Sequence, residues 1–184
     1  MVLYFAVTNY HILSSLLHKL VYHRKDKAVL LIPNQHTDFY QLQKQISLTR
    51  IFDKVLGFNE PYIPRKAGVI TNQEINEAID ARVKFIEQDF PVDLGDFEKL
   101  YVYADHYAFG VYLVKKHIPY FSFEEGLGRL SKNSLATEYI RYFDPVLAEI
   151  IIKLKLGGEN EYVLARFGDL KKQSPGYQNP RDIH

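Results

Sequence analysis

Short apolar runs alternate with amphipathic stretches along this chain, and the alternation predicts strands followed by helices. The run "VLYFAV" at residues 2–7 ends at Thr8 and Asn9, whose side-chain oxygens can accept the free amides of a helical first turn. Ile12, Leu13, Leu16, Leu17, Leu20 and Val21 then recur at the interval of a 3.6-residue helix and make one apolar stripe. "KAVLLIPN" at 27–34 repeats the pattern, continued by a helix through "TDFYQLQKQISL" and a weaker strand at "FDKVLGF". "NEPYIPRKAG" at 59–68 holds two prolines and a glycine and reads as a loop. Thr71 and Glu74 have the spacing of a capping box, and Ile75, Ile79, Val83, Ile86 and Phe90 give the helix after them its buried face.

The second half resumes with "KLYVYAD" as a strand, a helix near "YAFGVYLVKK" and "IPYFSF" as a fifth strand. Strands joined by helical crossovers define an α/β fold, a mostly parallel sheet with helices on both faces. Asp144 and Pro145 start a helix that Gly157 and Gly158 stop. The domain is expected over 1–158, with 159–184 a carboxy-terminal extension or tail: "EYVLARF" admits a strand, whereas the polar, breaker-rich "GDLKKQSPGYQNPRDIH" does not.

Composition narrows the function classes. A chain of 184 residues, 47% hydrophobic, buries one substantial core. Its formal charge of +1, with both signs dispersed, gives no electrostatic case for nucleic acid or an anionic membrane surface. The absence of cysteine excludes disulfides, thiol catalysis and thiolate metal sites. The amino terminus lacks a basic leader and a small-residue cleavage site, and no apolar run reaches the roughly 18 residues of a spanning helix, so a soluble, cytoplasmic protein is expected.

Ligands of open α/β sheets bind beyond the carboxyl ends of the strands. That rule selects Thr8, Asn9, Tyr10 and His11 after the first strand, Asn34, Gln35 and His36 after the second, Asp105 and His106 after the fourth, and Glu124, Glu125 and Gly126 after the fifth. Each taken alone also serves as a cap or turn residue. The strand before the acidic pair, "YFSF", is rich in aromatic rings, and partial desolvation beside it would raise a carboxylate's proton affinity and make it a better general base. Equally, the two glutamates favour the positive end of a following helix. Gly126 and Gly128 allow a sharp turn and a close ligand approach.

Other chemistries find less support. A dinucleotide fingerprint, a phosphate loop and a Gly-x-Ser-x-Gly elbow are all missing. His36 with Asp38, and Asp105 with His106, lack the spacing of a metal site, so no metal and no cofactor are expected. Arg65 and Lys66 could meet an anionic substrate but read more simply as solvated loop residues, and "HKLVYHRKDK" as an exposed helix end whose cations suit the dipole.

The opening strand running into "TNYHILSSLLHKL", the later "LYVYADHYAFGVYLVKKHIPYFSFEEGLGRL" and the alternation between them resemble, over residues 1–150, the amino-terminal half of bacterial sialyltransferases and polysialyltransferases of the two-domain GT-B type. The resemblance implies a Rossmann-like domain, one half of a GT-B architecture, in a glycosyltransferase of capsular or surface polysaccharide synthesis. In that family a strand is followed by two acidic residues and a glycine, here Glu124, Glu125 and Gly126, and the second acidic residue deprotonates the acceptor hydroxyl. Glu125 inherits that role by match, and Asn9, His11, Asn34, Asp105 and Glu124 are candidates lining an acceptor cleft, with Tyr10, Tyr103 and Tyr107 as sugar platforms.

The chain departs from the family on the donor side. None of its seven histidines precedes a proline, whereas the family's second domain carries a His-Pro motif by the donor phosphate, and little sequence remains for such a domain. The expectation is an acceptor-binding half that meets an oligosaccharide and a separate donor-binding domain or subunit. An apolar strip left bare at the docking face would lead to homo-oligomers. The alternatives are a non-catalytic oligosaccharide-binding or partner-docking module, and an unrelated α/β protein whose acidic pair caps a helix.

Overall fold

A computed structural model describes residues 1–34, 39–60, 70–123 and 135–167. In chain order the elements are β1 (Val2–Phe5), α1 (Asn9–Tyr22), β2 (Ala28–Pro33), α2 (Phe39–Leu48), β3 (Lys54–Phe58), α3 (Asn72–Asp89), β4 (Lys99–Val102), α4 (Ala108–Lys115), β5 (Tyr120–Phe123), α5 (Leu135–Phe143), α6 (Pro145–Leu154) and β6 (Val163–Phe167). The strands form a six-stranded parallel sheet in the order β3-β2-β1-β4-β5-β6, a Rossmann-like α/β fold. Parallel neighbours cannot be joined by a hairpin, which is why strand and helix alternate along the sequence. β6 falls within the stretch expected as an extension and pairs in parallel with β5, and α5 was not anticipated from the apolar pattern.

The chain divides into two compact units, Met1–Glu60 with Asp89–Tyr103, and Pro61–Gln88 with Ala104–His184. In the first unit every residue of β1 and β2 is buried, as continuous apolar runs in a doubly covered parallel sheet require. The register sets Tyr4 beside Leu30 and Tyr101. On one face Tyr4 stacks on Tyr101 at 5.0 Å between ring centres and meets Phe52 edge-on at 5.6 Å. On the other, Phe5 meets Phe58 at 5.8 Å and Phe58 meets Phe90 at 5.7 Å.

Most of the apolar stripe of α1 faces outward, with Ile12 buried and Leu16 half-buried. Leu13, Leu17, Leu20 and Val21 are 56%, 55%, 46% and 69% exposed, while His11, Ile12, Ser15, His18 and Lys19 face inward. The strand tyrosines account for this inversion. Tyr4 and Tyr101 carry hydroxyls that meet α1 and the residues just past it, so the facing side chains must offer polar partners. His18 Nδ1 lies 2.8 Å from the Tyr4 hydroxyl, and His23 Nε2 lies 2.8 Å from that of Tyr101. The Lys19 ammonium donates to the His23 carbonyl at 2.6 Å, and Ser15 Oγ donates to the His11 carbonyl at 2.8 Å.

The second unit realises two of the expected helix signals. Glu74 N donates to Thr71 Oγ1 at 3.2 Å while Thr71 N donates to Glu74 Oε2 at 2.9 Å, a reciprocal capping box. At α6 the Asp144 carboxylate accepts from Leu147 N at 3.0 Å, whereas the helix stops at Lys155, a left-handed C-cap at φ 50°, two residues before Gly157 and Gly158 at φ of 88° and 74°. The buried face of α3 is Ile75, Ala78, Ile79, Arg82 and Ile86, and Arg82 is satisfied by the Ala78 carbonyl at 3.1 Å. Among the described residues no helix is long and apolar enough to cross a membrane.

Candidate functional site

At the carboxyl end of β1 the chain turns into α1 through Thr8, the helix N-cap. Thr8 Oγ1 accepts from His11 N at 3.2 Å, and His11 Nδ1 accepts from the amides of Thr8 and Val7 at 3.3 and 3.4 Å. His11 thus takes the place that Glu or Gln usually holds in a capping box. With Nδ1 accepting, the neutral ring carries its proton on Nε2. The buried imidazole stacks on Tyr103 at 4.6 Å with 21° between planes. Burial pushes the Tyr103 phenol well above its ordinary value, against a smaller opposing influence of the Ser15 and Ser14 hydroxyls, and it stays protonated at neutral pH. Thr8, Asn9 and Tyr10 are exposed along the rim of this turn.

Asn34 follows β2 directly, and its backbone amide extends the sheet ladder to the Phe58 carbonyl at 2.9 Å. Its side-chain amide donates to the Asn59 carbonyl oxygen, and both side chains are exposed. The carboxyl ends of neighbouring β2 and β3 therefore carry a pair of neutral amides, each with donor and acceptor capacity left over. Asn59 did not emerge as a candidate from the sequence. The signal that picks out Asn34, a polar residue immediately after a strand, applies to it equally.

Asp105 belongs to the second unit. Its buried carboxylate accepts from the Tyr120 hydroxyl at 2.7 Å and from the Gly157 and Gly158 amides at 2.5 and 2.7 Å. The Tyr120 hydroxyl in turn accepts from Asn160 Nδ2 at 2.7 Å. This carboxylate anchors the turn between α6 and β6. His106 rests beside the Tyr107 ring at 4.9 Å, at the start of α4. Glu124, Glu125, Gly126 and Gly128 lie outside the described residues, as do Gln35, His36, Asp38, Arg65 and Lys66. β5 ends at Phe123, so the acidic pair follows the strand without a gap in the sequence.

A further cluster, under α1, was not legible beforehand. His23 bridges Asp26 at 2.6 Å and the Tyr101 hydroxyl at 2.8 Å, and His18 packs against both His23 and Tyr101 at 5.4 and 4.6 Å. "HKLVYHRKDK", expected as an exposed helix end, thus contributes three buried polar side chains, His18, Lys19 and His23. The hydrogen bond from His23 holds the exposed Asp26 carboxyl below its ordinary value. Tyr4 and Tyr101 are buried and pushed upward, so both phenols remain neutral.

Among the described residues no three His, Asp or Glu side chains group as metal ligands. No family model, no curated protein and no solved structure matches this chain. What its structure defines is a class, a parallel Rossmann-like α/β protein.

Proposed function

We propose that this chain is the acceptor-side half of a glycosyltransferase of the sialyltransferase type, with Glu125 as the general base. The observation that carries the reading is the sheet: six parallel strands in the order 3-2-1-4-5-6, with the Glu-Glu-Gly motif directly after β5 in sequence. Sheets of this kind bind ligands beyond the carboxyl ends of their strands. The Asn34–Asn59 pair at two of those ends supports a neutral, hydroxyl-rich ligand, because an amide both donates to and accepts from a sugar hydroxyl. In the transfer step Glu125 takes the proton of the acceptor hydroxyl as that oxygen bonds to the anomeric carbon of a CMP-sugar and the CMP leaves with the bonding pair. A carboxylate within about 3 Å of that hydroxyl performs this role.

Titration of the purified chain with sialylated and galactose-ended oligosaccharides, and separately with CMP-sialic acid, tests the reading. Acceptor binding without donor binding, altered by Glu125→Gln, is the expected result. Binding of neither sugar class contradicts it and returns Glu124 and Glu125 to the role of helix caps. A second reading, a non-catalytic module that binds an oligosaccharide or docks on a partner, is favoured by one observation, the outward apolar face of α1. Oligosaccharide binding that is indifferent to Glu125→Gln would select it.

A further inference from the structure

Tyr10, Leu13, Leu17, Leu20 and Val21 form an exposed apolar ridge along α1. From Tyr10 to Val21 the ridge spans about 16 Å at the rise of an α-helix. Lys19 is the only Lys, Arg, Asp or Glu in α1, and it is buried with its ammonium on the His23 carbonyl. The ridge itself therefore carries no charge. Basic residues follow only at its carboxyl end, where Arg24, Lys25 and Lys27 are exposed.

We propose that this ridge is the interface of a two-fold dimer in which α1 packs antiparallel against α1 of a second copy. Three features select that occupant. First, the ridge presents on the order of 600 Å² of apolar side chain, the upper limit for the largest patch on a monomer. Doubled across a two-fold axis it reaches about 1,200 Å², the lower limit of a specific interface.

Second, an antiparallel pairing centred on Leu17 sets Leu13 against Val21, so an apolar ridge meets itself, and it places the basic residues that follow α1 at opposite ends of the interface. A parallel pairing would bring the two basic ends together. Third, a helix that lies in a lipid surface carries Lys and Arg along its polar flanks, whereas the polar flank of α1 is turned into the protein. The inference rests on α1 alone and stands whether or not the chain acts on a sugar.

Sedimentation of the full chain across micromolar to submillimolar concentrations, with wild type and Leu17→Glu compared, tests the dimer. The wild type is expected to dimerise, and Leu17→Glu to weaken the dimer by about 100-fold or more, because it buries an unpaired charge on the axis. Leu17 is exposed in the single chain, so the circular dichroism of the variant should match wild type. Since the sequence has no cysteine, Leu17→Cys supplies a second readout. Helices in contact on a two-fold axis bring the introduced thiols within disulfide range, and oxidation should crosslink this variant much faster than a Tyr142→Cys control on α5. A wild type that stays monomeric, a dimer indifferent to Leu17→Glu, or equal crosslinking of the two variants would each overturn the proposal. Monomers that float with phosphatidylcholine–phosphatidylglycerol vesicles would overturn it in favour of a lipid surface.

Discussion

Burial holds the His18 imidazole at about 3, far below its ordinary 6.5, with the adjacent His23 and Lys99 adding to the effect. The Tyr4 hydroxyl and the rings of Tyr22, His23 and Tyr101 enclose it. Between those two values the unfolded chain binds a proton that the folded chain refuses, so the contribution is fully present above pH 6.5 and is lost as pH falls toward 3. Urea unfolding at stepped pH should show stability declining below 6.5 by up to about 1.4 kcal/mol per pH unit, and His18→Gln should flatten that slope between 6.5 and 4.5. An unchanged slope would mean the ring is protonated in the folded state. This cluster could not be read in the sequence, because a polar residue on a helix is ordinarily taken as solvated. Only the tyrosines of β1 and β4, remote in sequence, turn His18 and His23 inward. Asn34 was legible from its place after a strand, whereas Asn59 was absorbed into a loop rich in prolines.

Elements with strong local chemistry were the readable ones. The apolar runs of β1, β2, β4 and β5 and the signals Thr71–Glu74 and Asp144–Pro145 lie where local physics alone places them. The facing of α1 was not readable, since periodicity identifies a stripe without saying which side meets the sheet. α4 offers a direct check on packing. A methyl group on Gly110 would collide with the backbone carbonyl of Asp105, which cannot rotate away as a side chain would. Gly110→Ala should therefore cost about 2 kcal/mol or more and lower the unfolding temperature by about 4–8 °C in a calorimetric scan. An unaltered midpoint would refute so close an approach of α4 to the Asp105 backbone.

For the molecule as a whole, the parallel sheet directs every strand's carboxyl end to one edge, and the polar residues beyond those ends are where a ligand should be met. The class was legible because parallel strands need helical crossovers, and those leave an alternating record in the sequence. β6 was harder to read, a five-residue strand with intermediate and exposed positions. The deciding measurement is the ¹⁵N–¹H spectrum of the chain titrated with a sialylated oligosaccharide. Saturable shifts in the side-chain amides of Asn34 and Asn59 and the backbone amides of Thr8 and Asn9, with Tyr142 unmoved, are the expected result. Shifts confined to other surfaces, or none at all, would contradict a sugar site at the carboxyl edge of this sheet.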